Sequence, residues 1–226
     1  MVEVIVISEG ASEEQFIKKI VNPQLNVLGV FLKPIQLPTS SQSKGGAVTF
    51  DRVKFYLRNI LNQHSKAIVS TFLDLYALDT KFPAFDKTKK QIDVHLRVKT
   101  LEEALHAEMV EFVGCRSERF IPHIQPYEFE ALLFSDVKAL TSAVPTWPTF
   151  IGSLEKIQQD FATPEHINDS YETRPSKRLE SVLQPKYKKM HHAGLAAERI
   201  TLAVIEEKCA HFKSWMDKLR ALAEPK

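Results

Sequence analysis

Two acids stand where chemistry could begin. In VIVISEGASEE, Glu9 closes an apolar β-branched run, and in STFLDLY, Asp74 interrupts another. Glu13 follows Glu9 by one helical turn and can point back to the same place. Gathering carboxylates is costly unless a cation compensates them. Oxygen donors with no His or Cys beside them favour a hard ion, Mg²⁺ or Mn²⁺. QPYEFEALLF (125–134) adds Glu128 and Glu130. These share a face if the segment is extended. They diverge by about 200° if it is helical, and then only one reaches the site. Glu128 comes sooner after the strand and ranks first. The expected metal set is therefore Glu9, Glu13, Asp74, Glu128 and Glu130, with Glu9 and Asp74 catalytic. A blander account has Glu9 and Glu13 facing a helix dipole and the later acids decorating a helix N-terminus.

A basic stretch supplies a second component. Between 174 and 192 lie Arg174, Lys177, Arg178, Lys186, Lys188 and Lys189 against the single acid Glu180. The local charge is +5, while the whole chain is +2. Tyr171, Tyr187, His191 and His192 are interleaved. Such a cluster beside a metal site suits a phosphodiester backbone, and a solvated charged face is the competing account. Adjacent His191 and His192 are poor geometry for one zinc ion. The chain has no GxxxxGK[ST], GxGxxG, GxSxG, HExxH or paired CxxC pattern, which argues against P-loop hydrolysis and the other chemistries those motifs carry.

The elements that must position these residues are legible in outline. Val2–Ile7 reads as a strand covered on both faces. GASEEQFIKKIV follows as a helix with Ser12 near its start and acids in its first turn. Further strands are expected over 27–37 and 66–76, helices over 50–61 and 100–113, and a polar loop over 39–49. RFIPHIQPYEFEALLF (119–134) begins as a strand and turns helical after Pro126. Alternating β and α predicts a mostly parallel sheet flanked by helices, an α/β fold. In such sheets ligands bind beyond the carboxyl ends of the strands, where Glu9 and Asp74 fall. Residues 1–144 are read as the α/β core and 145–226 as a helical appendage packed on it.

At 226 residues, 44% hydrophobic and 26% charged, the chain is an ordinary globular protein. Cys115 and Cys209 fit no metal spacing and are read as free thiols in a reducing compartment. The N-terminus enters a strand directly, so no signal peptide is expected. No apolar run approaches a membrane span. A cytoplasmic protein with no membrane association is the expectation.

These motifs resemble a known pattern. VIVISEGASEE is similar to the first Toprim motif, a strand followed by Glu-Gly, and the EGxxE spacing from Glu9 to Glu13 is similar to that of the OLD-family nucleases. TFLDLY stands in the place of the second Toprim motif, with Asp74 matching the first acid of DxD and Tyr76 where the second would be. The chain also resembles a bacterial family of Toprim-like proteins catalogued as a domain of unknown function. The stretches carrying that likeness are SEGASEE, STFLDLYAL, FIPHIQPYEFEALLFSD, PEHIND, RPSKR and CAHFKSWMDKL, which span nearly the whole length. The resemblance implies a Toprim/Rossmann-like fold and a Mg²⁺- or Mn²⁺-dependent nuclease. It places Glu9 as acid/base or ligand and Asp74 as ligand, with Glu13, Glu128 or Glu130 replacing the missing acid. It implies nucleic acid as partner, DNA first, and a setting in bacterial defence beside an ATPase. The alternative is a non-catalytic binding subunit that docks through a face bearing Phe212, Trp215 and Leu219, unless that face is core. A lysine filling the gap between Glu9 and Asp74 would leave only such a scaffold.

Overall fold

The computed structural model describes residues 1–38, 48–168 and 170–223. Most of the polar loop expected over 39–49 therefore lies outside the described residues. The sheet is parallel throughout, in the order β2 (Val30–Gln36), β1 (Val2–Ser8), β3 (Ile68–Asp74), β4 (Phe120–Ile121), with β5 (Ile124–Gln125) also pairing with β3. β1 runs between β2 and β3, with Ser8 opposite Phe72. Because side chains alternate across a strand, one short sequence feeds two cores. Val4 and Val6 join Phe72 on one face, and Ile5 and Ile7 join Val69 and Leu73 on the other. This is why Val2–Ile7 is nearly continuous apolar sequence.

The second face is covered by α3 (Phe50–Gln63), through Val53 and Leu57, and α5 (Val94–Val113), through Val98, Leu101 and Leu105. α5 starts earlier than the expected 100–113 because the Asp93 side chain accepts from His95 N and Leu96 N and caps it there. The first face is covered by α1 (Ala11–Phe16), a π-helical turn (Ile17–Val21) and α2 (Asn22–Asn26). Helices from the second half of the chain complete that layer. Trp147, Leu154, Leu179, Ala193, Ile205, Phe212 and Trp215 share one buried cluster with Val4 and Val6. The face bearing Phe212, Trp215 and Leu219 is thus core, not a docking surface.

Two segments depart from expectation. β3 ends at Asp74, and a 3₁₀ turn, Leu75–Ala77, carries Tyr76. The 119–134 segment makes only two short strands and then a 3₁₀ helix, Phe129–Ser135, preceded by Tyr127 at φ 55 and by an extended Glu128. The helices α4 (Phe85–Thr88), α6 (Val137–Thr141), α7 (Ile151–Gln159), α8 (Pro175–Val182), α9 (Lys189–Ile200), α10 (Leu202–Lys208) and α11 (Ala210–Arg220) complete the fold. No helix among the described residues is long and apolar enough to cross a membrane.

Candidate functional site

The carboxyl ends of β1 and β3 are adjacent because those strands pair directly. Glu9 follows β1, and Asp74 is the last residue of β3. Glu13 sits in the first turn of α1 and folds back toward Gly10, whose missing side chain makes room. A Cβ at Gly10 would stand 3.1 Å from Glu13 Oε2. Glu130 enters from the 3₁₀ helix and is fully buried. Burial, countered by Lys189 and reinforced by Glu13 and Glu130, pushes the Glu9 carboxyl up to about 7. Burial raises Asp74 well above the carboxylate range, and it raises Glu130 too, with Lys189 opposing in both cases. Asp74 is held in place as Oδ1 accepts from Phe129 N at 2.8 Å. Tyr187 Oη, itself buried, donates to Glu130 Oε1 at 3.4 Å.

The gap is not open. Lys189, the first residue of α9, extends its ammonium to 2.6 Å from Glu13 Oε1, 3.2 Å from Glu130 Oε2 and 3.6 Å from Asp74 Oδ2. These acids raise its pKa well above the lysine range despite its burial. The contacts are charge pairs with poor alignment. Glu9 Oε2 is buried without a hydrogen-bond partner, and Glu13 Oε1 and Glu130 Oε2, buried likewise, face the Lys189 ammonium. One ammonium faces four acids, Glu9, Glu13, Asp74 and Glu130, and burial raises the carboxyls of Glu9, Asp74 and Glu130 against its pull. An all-oxygen donor set in which Glu9 Oε2 is unpartnered fits a hard divalent cation by its chemistry.

Glu128 takes a different path. Its extended backbone turns its side chain to α8, where Oε2 accepts from Ser176 N at 2.9 Å and Oε1 pairs with Arg174 Nε at 2.9 Å. The order expected for the two acids is reversed in the geometry: Glu130 meets Lys189, and Glu128 anchors the basic helix beside the pocket. The basic residues themselves scatter. Arg174 also lies 3.6 Å from the Tyr171 ring centre. Lys177 and Lys186 both pair with Glu180, at 2.9 and 3.3 Å. Arg178 Nε donates to Thr173 O at 2.5 Å. Lys177, Arg178 and Lys186 line one shallow groove with Glu172 and Glu180. Lys188 is exposed, and Lys189, expected on phosphate, faces the carboxylates.

Lys189 in this role is the residue that sequence reasoning missed. It lies 115 positions from Asp74 (189 against 74), inside a run of lysines that look alike. The available signal was its place at the start of an amphipathic helix, two residues after the buried Tyr187. Tyr76, in place of a second acid, packs against Tyr127 and Tyr171 at ring separations of 5.5 and 6.1 Å. It contributes no carboxylate to the pocket.

A sequence model of the family described as "Domain of unknown function (DUF4276)" matches residues 8–220. No curated protein and no solved structure matches the chain. The matched span runs from the last residue of β1 to the last residue of α11 and so includes every pocket carboxylate and Lys189. The chain belongs to the DUF4276 family.

Proposed function

We propose that the pocket binds Mg²⁺ or Mn²⁺ and that the protein is a metal-dependent nuclease related to the Toprim and OLD enzymes. The observation that carries this is the gathering of buried carboxylate oxygens from Glu9, Glu13, Asp74 and Glu130 around the Lys189 ammonium, with Glu9 Oε2 unpartnered. When bound, such an ion polarises a phosphoryl oxygen and makes a nucleophile of water near neutral pH. Glu9, poised at about 7, is the carboxyl suited to hold or release a proton there. Asp74, Glu13 and Glu130 supply anionic oxygens. Lys189 keeps about a third of its side chain toward solvent, and a cation that took its place among the acids would free its ammonium for a phosphate oxygen. Arg174, beside Glu128, and the groove bearing Lys177, Arg178 and Lys186 adjoin as backbone contacts. Nucleic acid, DNA first, is the expected substrate, with an ATPase subunit as companion and phage defence as the setting.

Lys189 fills the gap, the arrangement that the sequence reading took to leave only a scaffold, and so it favours a second reading. If its ammonium is a permanent internal counter-ion, the pocket is a degenerate site and the protein is a non-catalytic binding subunit. The two readings separate at the bench. Purified protein is offered plasmid, linear and single-stranded DNA, and RNA, with Mg²⁺ or Mn²⁺. The nuclease reading expects cleavage that Glu9→Ala and Asp74→Ala abolish. Cleavage unchanged in both variants removes it. Absence of Mg²⁺ or Mn²⁺ binding by calorimetry at millimolar metal leaves the second reading.

A further inference from the structure

Away from the carboxylate pocket, three chain segments bring two imidazoles and a carboxylate together. Glu102 comes from α5, His123 from the turn between β4 and β5, and His211 from the first turn of α11. One ligand atom from each lies within 4.8 Å of the others. His211 Nε2 is 2.8 Å and His123 Nδ1 is 3.6 Å from the same oxygen, Glu102 Oε1. A tetrahedral ion with bonds of about 2.0–2.1 Å separates its ligands by about 3.3 Å, so the two distances straddle what it requires. We propose that Glu102, His123 and His211 form a second metal site, for a borderline transition ion of the Zn²⁺ or Co²⁺ class.

The alternative is an ordinary buried hydrogen-bond network, in which His211 Nε2 bonds Glu102 Oε1 at 2.8 Å, but such a network leaves His123 Nδ1 outside it. The 3.6 Å between His123 and Glu102 is too long for a hydrogen bond. Glu102 Oε1 already accepts from Ile124 N at 2.8 Å as well as facing both rings. A shared proton serves one of the imidazoles, whereas an ion between them serves both. The ligands are also fixed from outside, as ligands of a metal site are. His123 Nε2 meets Gln125 Oε1 at 3.3 Å. The backbone of His211 donates to the fully buried Glu165 at 2.9 Å, and Phe212 N does so at 3.0 Å. Trp215 stacks on His123 with ring centres 5.0 Å apart and shields that side from water. His123 is almost fully buried, so an ion there would be shielded from water. Two nitrogens and one carboxylate select a softer ion than the all-oxygen pocket does. The trio Asp93, His95 and His166 nearby is committed elsewhere, since Asp93 caps α5 and His166 bonds Thr163.

The test is a Co²⁺ titration of the full chain, read by visible absorption. Four-coordinate cobalt with nitrogen ligands absorbs far more strongly than cobalt in an octahedral oxygen site. The expected result is an intense band that saturates at one equivalent, is displaced by Zn²⁺ and is indifferent to excess Mg²⁺. Glu102→Gln and His211→Ala should abolish it, while Glu9→Ala with Asp74→Ala should leave it in place. Glu102→Gln keeps an acceptor for Ile124 N and so guards against a variant that merely misfolds. A wild-type chain without the band, or a band that survives in folded Glu102→Gln, overturns the proposal.

Discussion

Replacing Lys189 by Met tests the electrostatics of the pocket most directly. The substitution keeps a flexible apolar stem and removes the one ammonium that, among the described residues, pairs with Glu13, Asp74 and Glu130. Breaking a buried ion pair from one side costs about 3–5 kcal/mol. The Lys189 side chain keeps 35% of its surface, and that solvent screens the loss to about 2–3 kcal/mol. For a chain of this size the melting temperature falls by about 2–4 °C per kcal/mol, hence by about 4–12 °C. The sign with pH follows from the carboxyls. Folded pKa values are raised at Glu9, to about 7, and at Asp74 and Glu130. Ionisation of these groups therefore costs stability as pH rises from the ordinary carboxylate range through those values, and Lys189 offsets that cost. Its contribution is largest above pH 7 and shrinks at pH 5, where Glu9 holds its proton. Lys189 itself titrates well above 10.5 and stays charged across this window. Thermal melts of wild type and Lys189→Met at pH 5 and pH 8, with and without Mn²⁺, read this out. At pH 8 the variant should lose several degrees, and at ten times its dissociation constant Mn²⁺ should return about 1.4 kcal/mol. Equal losses at both pH values would refute the electrostatic account. A loss at pH 8 that Mn²⁺ leaves untouched would refute the metal reading alone.

Other expectations follow from single contacts. Glu9→Gln should gain little over wild type in metal-free stability at pH 5 and clearly exceed it at pH 8, since it removes a group whose ionisation folding opposes. Isothermal titration in buffers of different ionisation enthalpy should show a proton released as Mn²⁺ binds below pH 7, with affinity falling about tenfold per pH unit there. Gly10→Ala should shift the Glu13 carboxylate and weaken Mn²⁺ binding, with little change in melting temperature, because the new methyl would lie 3.1 Å from Glu13 Oε2. Arg119 donates to Leu61 O, His64 O and Ala67 O, so Arg119→Met should cost about 1–3 kcal/mol in chemical denaturation by stripping those carbonyls of their donor. Phe72→Ala should cost about 3–5 kcal/mol in the same assay, since Phe72 is fully buried among Phe16, Phe129, Phe212 and Trp215.

The sequence by itself determined the sheet and its acidic edge. Val2–Ile7 could only be a strand buried on both faces, and the β-α alternation that follows it dictates parallel pairing. Glu9 and Asp74 end two such strands, so their convergence was legible from local pattern alone. Tertiary structure alone decided what stands between them. Lys189 is one of several lysines in a polar stretch, and only the docking of α9 against α1 aims that one at the carboxylates. The choice between Glu128 and Glu130 likewise turned on a left-handed Tyr127 and an extended Glu128, which no periodicity encodes. The Glu102, His123 and His211 cluster was equally invisible, because its members lie 21 and 88 positions apart on three elements. Hydrophobic period and chain order fix which residues point inward along one element. Where charges from distant elements meet is fixed by how the helices pack, and that depends on the whole core at once.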